Sequence, residues 1–202
     1  MPAVLINRLS DRKCLMISIR PFFLMLCVAC GTAPSHNTSG DPVLIPLFNR
    51  NTEWTFLDAQ SDPFAHERPS NASCSGYGFY PEDDGIEVET GSECTYASAQ
   101  QPLATPIRKG DQIQIILTHT QLKSFDAGTG HVAIWLDGRT LWEYTVAIPA
   151  LPEFVPPTER AVSVYAPADV ATGKPLVFHI HNHGVNTWKL LSLNVVHQAT
   201  SF

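Results

Sequence analysis

The chain has 202 residues, with 13 Lys and Arg against 19 Asp and Glu, a formal net charge of −6, 44% hydrophobic residues and 16% charged ones. That is the composition of a globular domain long enough to bury a full core, not of a disordered polyelectrolyte. The acidic balance excludes nucleic acid as a partner and docking on anionic lipid by charge alone.

The first segment is set apart by its charge. Arg8, Arg12, Lys13 and Arg20 precede a short apolar run, Pro21 to Ala29, with only Asp11 opposing them. A positive region, a nine-residue apolar core and a small residue before Cys30 make an export signal too short to span a bilayer. Leu26-Cys27-Val28-Ala29-Cys30 resembles the lipobox of bacterial lipoproteins, with Cys27 where a leucine is usual and Leu26 displaced by one. The resemblance implies cleavage after residue 29 and a lipid on Cys30, so the membrane is a partner through that lipid. Gly31, where Asp would favour inner-membrane retention, implies the outer membrane of a cell envelope. Met16 opens a compact signal of its own and is an alternative start. Residues 30–202 carry nine basic and 18 acidic side chains, a net of −9 with histidine neutral.

Residues 30–41 lack apolar periodicity and read as a disordered, flexible tether. From 42 to 202 the pattern is that of an all-β, antiparallel β-sandwich, because apolar residues alternate at period two and sixteen prolines and twelve glycines punctuate the chain. Candidate strands are 53–57, 85–89, 111–119, 131–136, 139–146, 161–165, 175–181 and 188–196. With Cys14 and Cys27 lost with the signal and Cys30 lipidated, Cys74 and Cys94 remain and pair as a disulfide in an oxidising compartment. Closing a loop of about 20 residues contributes about 3 kcal/mol by the chain-entropy account. The segments 110–119 and 173–182 align without gaps, matching Ile113, Ile115 and Leu117 with Leu176, Phe178 and Ile180. They read as two strands entering a sheet after similar turns.

Four groups of residues are candidates for chemistry. His179, His181 and His183 share one face of a strand and could form a zinc or copper platform, with Phe178 and Ile180 facing the core and His119 or His131 as further ligands. The opening Gly173 to His181 resembles a cupin motif, but the glutamate expected after the second histidine is replaced by Val185 and Asn186. A blue-copper site fails as well, since Cys94 is the last cysteine. The acidic segment Glu82 to Glu89, with Glu93, could hold Ca²⁺ but lacks EF-hand spacing.

Asp137-Gly138 marks a two-residue hairpin turn that pairs Leu136 with Arg139, Trp135 with Thr140, Ile134 with Leu141 and Ala133 with Trp142. This register puts Trp135, Trp142, Tyr144 and His131 on one face, a platform on which sugar rings could stack. Asn37-Thr-Ser and Asn71-Ala-Ser match glycosylation acceptors, a match that means little behind a bacterial signal.

The stretches Gly110 to Leu122, His131 to Gly138 and Gly173 to Leu190 resemble a group of bacterial envelope lipoproteins of no assigned activity, in which a β-sandwich follows a lipobox. The resemblance covers about residues 106–196 and implies a sandwich of jelly-roll type. No nucleophile elbow, His-Glu-x-x-His, phosphate loop or dinucleotide fingerprint is present. The expectation is therefore a non-enzymatic envelope lipoprotein, without cofactor, that binds a glycan or another envelope protein. The alternative is a metal-binding protein or metalloenzyme using the histidine strip.

Overall fold

The computed structural model describes residues 41–82 and 85–197. The expected signal, the expected lipidation site at Cys30 and nearly all of the expected tether lie outside them. Among the described residues no helix is long and apolar enough to cross a membrane.

The described residues form eleven strands in chain order: β1 Val43–Pro46, β2 Thr55–Phe56, β3 Phe79–Glu82, β4 Gly85–Glu89, β5 Tyr96–Pro102, β6 Gln112–His119, β7 Gly128–Leu136, β8 Arg139–Ile148, β9 Thr158–Tyr165, β10 Pro175–Asn182 and β11 Thr187–His197. A single 3₁₀ turn, Ala65–Glu67, interrupts the loop after β2. One sheet runs β3-β4-β11-β6-β9, with β1 also on β11, and the other runs β2-β5-β10-β7-β8.

The pairing is nested. β7 pairs β8, β6 pairs β9, β5 pairs β10 and β4 pairs β11, all antiparallel. Successive pairs fall in alternate sheets, so the chain from β4 to β11 is one long hairpin rolled into a sandwich, which is the jelly-roll topology. The fold is all-β and antiparallel, as the periodicity and the resemblance imply.

Alternation explains the core. Along β6 every second residue is buried, so Ile113, Ile115, Leu117 and His119 face inward. Leu176, Phe178 and Ile180 of β10 do the same from the opposite sheet. The two segments that echo each other in sequence are thus inner strands of the two sheets, each entered through a positive-φ glycine, Gly110 and Gly173. Each stretch turns sharply just before the strand, where only glycine adopts that backbone without strain.

The middle of β7 and β10 is buried on both faces, unlike β6. The reason is a hood, residues 57–68, which lies over the outer face of the five-stranded sheet and buries Leu57, Asp62 and Phe64. Leu57 N–H donates to Ser98 O at 2.8 Å, fixing the hood where it leaves β2. The Cys74–Cys94 disulfide forms just beyond it, joining the segment before β3 to the segment before β5.

Candidate functional site

Three strands and the hood build one cluster on the outer face of the five-stranded sheet. β10 supplies His179 and His181, β7 supplies His131, β5 supplies Tyr96 and Ser98, and the 3₁₀ turn supplies Glu67. His181 stands opposite His131 in the ladder and His179 opposite Ala133, so the three imidazoles form a triangle across two strands. Glu67 Oε2 is its centre. It lies 2.7 Å from His131 Nδ1, which donates to it, 3.8 Å from His179 Nε2 and 3.9 Å from His181 Nδ1.

Asp62 holds the hood in place. Its carboxylate accepts from Tyr96 Oη at 2.6 Å, from Arg68 Nη1 at 2.9 Å and from Phe64 N–H at 2.9 Å. Burial alone would raise its pKa, but the Tyr96 and Ser98 hydroxyls, the Phe64 amide and Arg68 hold it below the usual carboxylate range. Phe64, thus fixed, stacks on the His179 ring at 4.2 Å between centroids.

His179 is fully buried. Its Nδ1 lies 2.9 Å from Ser98 Oγ, while its Nε2 has no hydrogen-bond partner. The Ser98 hydroxyl can donate to Nδ1 or accept from it, according to the tautomer of the ring. His179 Nε2 faces Glu67 Oε2 at 3.8 Å. Burial first, then the neighbouring His131, pushes His179 down to about 3, so the ring is neutral at ordinary pH. His181 is lowered as well, by burial and then by His183.

His183 stands beside His181, ring centroids 5.1 Å apart, but its Nδ1 lies 2.8 Å from Thr129 O and 3.1 Å from Thr129 N. It belongs to the β7 backbone edge rather than to the triangle. His119 is in the interior against Trp188, ring centroids 4.9 Å apart, and in the other sheet. Glu67 is the residue that the sequence reading lacks. The acidic segment holds no such cluster among the described residues. Glu82 and Glu87 meet Lys189, Glu87 and Glu89 accept from Tyr80, and Glu93 accepts from Ser75.

The four residues expected on one hairpin face are divided. Trp135 pairs with Thr140 and Leu136 with Arg139 as expected, but a bulge between Ile134 and Trp135 shifts the rest by one residue. Ile134 then pairs with Trp142 and Val132 with Tyr144, while Ala133 pairs with Glu143 and His131 with Thr145. Because pairing residues share a face, the one-residue slip turns Trp142 and Tyr144 to the inner side and leaves His131 and Trp135 on the outer side. The single aromatic platform is corrected accordingly.

Trp142 and Tyr144 are half-buried and pack against the edge of the core. Their ring planes lie within 23° of parallel, with centroids 6.4 Å apart. β8 and β9 are the outermost strands of their sheets, so this pair lies along an unclosed margin of the sandwich. Across it Arg160 places its guanidinium 3.9 Å above the Tyr144 ring.

No protein family matches the chain by sequence, and no curated protein does. Several solved structures share features of its fold. A xylan-binding module, CBM15, is 14% identical with a TM-score of 0.43, covering 80% of this chain and 99% of its own. A CBM4 structure is 15% identical with a TM-score of 0.42, covering 80% and 97%. The N-terminal cellulose-binding domain of Cellulomonas fimi β-1,4-glucanase C is 15% identical with a TM-score of 0.38, covering 65% and 89%.

Proposed function

We propose that this chain is an extracytoplasmic, lipid-anchored binding protein whose sandwich takes a glycan along the Trp142–Tyr144 margin. The observation that carries the glycan reading is the near-parallel, half-exposed pair of aromatic rings at 6.4 Å on an unclosed edge. Such rings offer flat apolar surface to the C–H face of a sugar at little entropic cost, since their packing against the core already fixes them. Arg160 holds Tyr144 from one side and adds donors for ring hydroxyls, while Trp142 carries the stacking. No catalytic group belongs to this margin in the proposal, which is one of retention and not of turnover.

The address rests on sequence and oxidation state. The apolar run ending in Cys30 supports lipidation, and Gly31 supports the outer membrane. The Cys74–Cys94 disulfide supports an oxidising compartment.

Affinity electrophoresis or column retention on a panel of soluble and immobilised polysaccharides tests the glycan reading. The wild type is retarded by at least one polysaccharide, and Trp142→Ala loses that retardation while its thermal unfolding stays cooperative. No retardation by the wild type across the panel, or full retention by Trp142→Ala, refutes it.

A further inference from the structure

We infer that Glu67, His131, His179 and His181 form a binding site for one divalent first-row transition ion, zinc or copper, which clasps the hood to the sheet. Neither the glycan margin nor the membrane anchor is needed for this site. It rests on its own geometry.

The nitrogen and oxygen atoms are close to those of a coordination shell before any ion enters. Tetrahedral ligands about 2.1 Å from zinc stand about 3.4 Å from one another. The three distances to Glu67 Oε2, at 2.7, 3.8 and 3.9 Å, bracket that value, so opening one contact by about 0.7 Å and closing two by about half an ångström reaches it. Ligand atoms of Glu67, His131 and His179 all lie within 4.8 Å of one another. His181, on the same rung as His131, has its Nδ1 3.9 Å from the same carboxylate oxygen and would take the fourth position by moving toward the other two imidazoles.

One atom argues for an ion rather than for a hydrogen-bond network. His179 Nε2 is completely buried and unpartnered. Leaving a buried polar atom unmet is costly, and the interior of a protein seldom bears it without a use. With Nδ1 donating to the Ser98 hydroxyl, 2.9 Å away, the Nε2 lone pair is free for an ion. Metal-bound imidazoles usually donate their second nitrogen to a carboxylate or a polar oxygen. Ser98 Oγ, 2.9 Å from Nδ1, stands where His179 needs such a partner, and Glu143 Oε2 lies 3.6 Å from His131 Nε2 on the solvent side.

The donor set chooses the ion. Three imidazoles and one carboxylate suit zinc or copper, whereas calcium and magnesium prefer oxygen ligands in larger number. Binding moves the Nδ1 proton of His131 to Nε2 and frees the Nδ1 lone pair for the ion, and protons compete with the ion for imidazole nitrogens, so uptake weakens in acid. Three ligands come from the rigid sheet and one from the hood. The ion therefore closes the hood rather than building the sandwich, which has its own core.

The test uses the purified chain stripped with a chelator and dialysed against zinc, copper or cobalt chloride, each metal alone. The wild type takes up one ion per chain with a Kd of about 1 µM or tighter. Cobalt gives the intense visible bands of a tetrahedral site, and backbone hydrogen exchange in 57–68 slows when zinc is added. Glu67→Gln, on the half-exposed turn, and His181→Ala each weaken uptake by roughly 100-fold and remove the exchange effect. His183→Ala leaves uptake unchanged. His179→Gln is read only beside its circular dichroism, because it is buried. Absence of stoichiometric uptake by the wild type, uptake undiminished in Glu67→Gln, or uptake that depends on His183 overturns the site.

Discussion

His119 is the side chain whose burial has the plainest consequence in solution. Its Nδ1–H donates to Thr120 O at 2.8 Å, while its Nε2 is buried without a partner beside Trp188. Burial, together with the field of Arg160, lowers its pKa below the ordinary histidine value. The unfolded chain therefore binds a proton there more readily than the folded one. Stability from this residue is complete above pH 6.5 and is lost as pH falls below it. In His119→Phe the ring packing is kept and this loss is absent. Urea unfolding at a series of pH values should show the wild type losing more stability than the variant between pH 7 and pH 5. Parallel curves would place the acid sensitivity elsewhere.

At the scale of the strand, one glycine decides how β7 lies against β11. A Cβ on Gly130 would come within 2.7 Å of Trp188 Cζ2 and 3.2 Å of Asn182 Oδ1. Trp188 cannot retreat, because it is fully buried and its Nε1 donates to Asn182 Oδ1 at 3.0 Å. Gly130→Ala should cost about 1–3 kcal/mol through overpacking, seen as a lower urea midpoint with altered near-ultraviolet tryptophan signal. An unchanged midpoint would mean that the β7–β11 contact is looser than this. Elements of this kind are also where sequence and structure part. β4 was legible to the residue, because Ile86 and Val88 alternate with charges between clear turns. β5 was not, since Tyr-Ala-Ser-Ala-Gln-Gln-Pro has little β-propensity and is held by β10 on one side and β2 on the other. The Asp137-Gly138 turn was readable, with φ of 40° and 92° at its two residues. The bulge two residues away was not, because no glycine or proline marks it. The histidines of β10 and β7 could be found as a pattern. Glu67 could not, as it arrives from a turn 64 residues before His131 with no periodicity to announce it.

At the scale of the whole molecule, a rolled hairpin makes stability depend on pairs distant in sequence, with β4 on β11 as the outermost. Such a topology is slow to fold but leaves one continuous interior. The proposed address can be checked on this intact body. Cells expressing the chain should incorporate labelled palmitate into it and hold it in the membrane fraction. Cys30→Ser should abolish the label and release the protein to the soluble fraction, with the Cys74–Cys94 bond still formed. Unlabelled wild type would end the lipid reading without touching the fold.

The position of β1 has a mechanical consequence. It lies beside β11, outside the nested pairs, with Val43 opposite His197 at the far rung and Pro46 opposite Asn194. A tug on the incoming chain loads Val43 first and opens this short ladder like a zipper, one rung after another. Four residues freed in this way add about 13 Å of extended chain. β4 and β6 keep their grip on β11 meanwhile, so strain is spent on a sacrificial strand before it reaches the side chains packed between the two sheets.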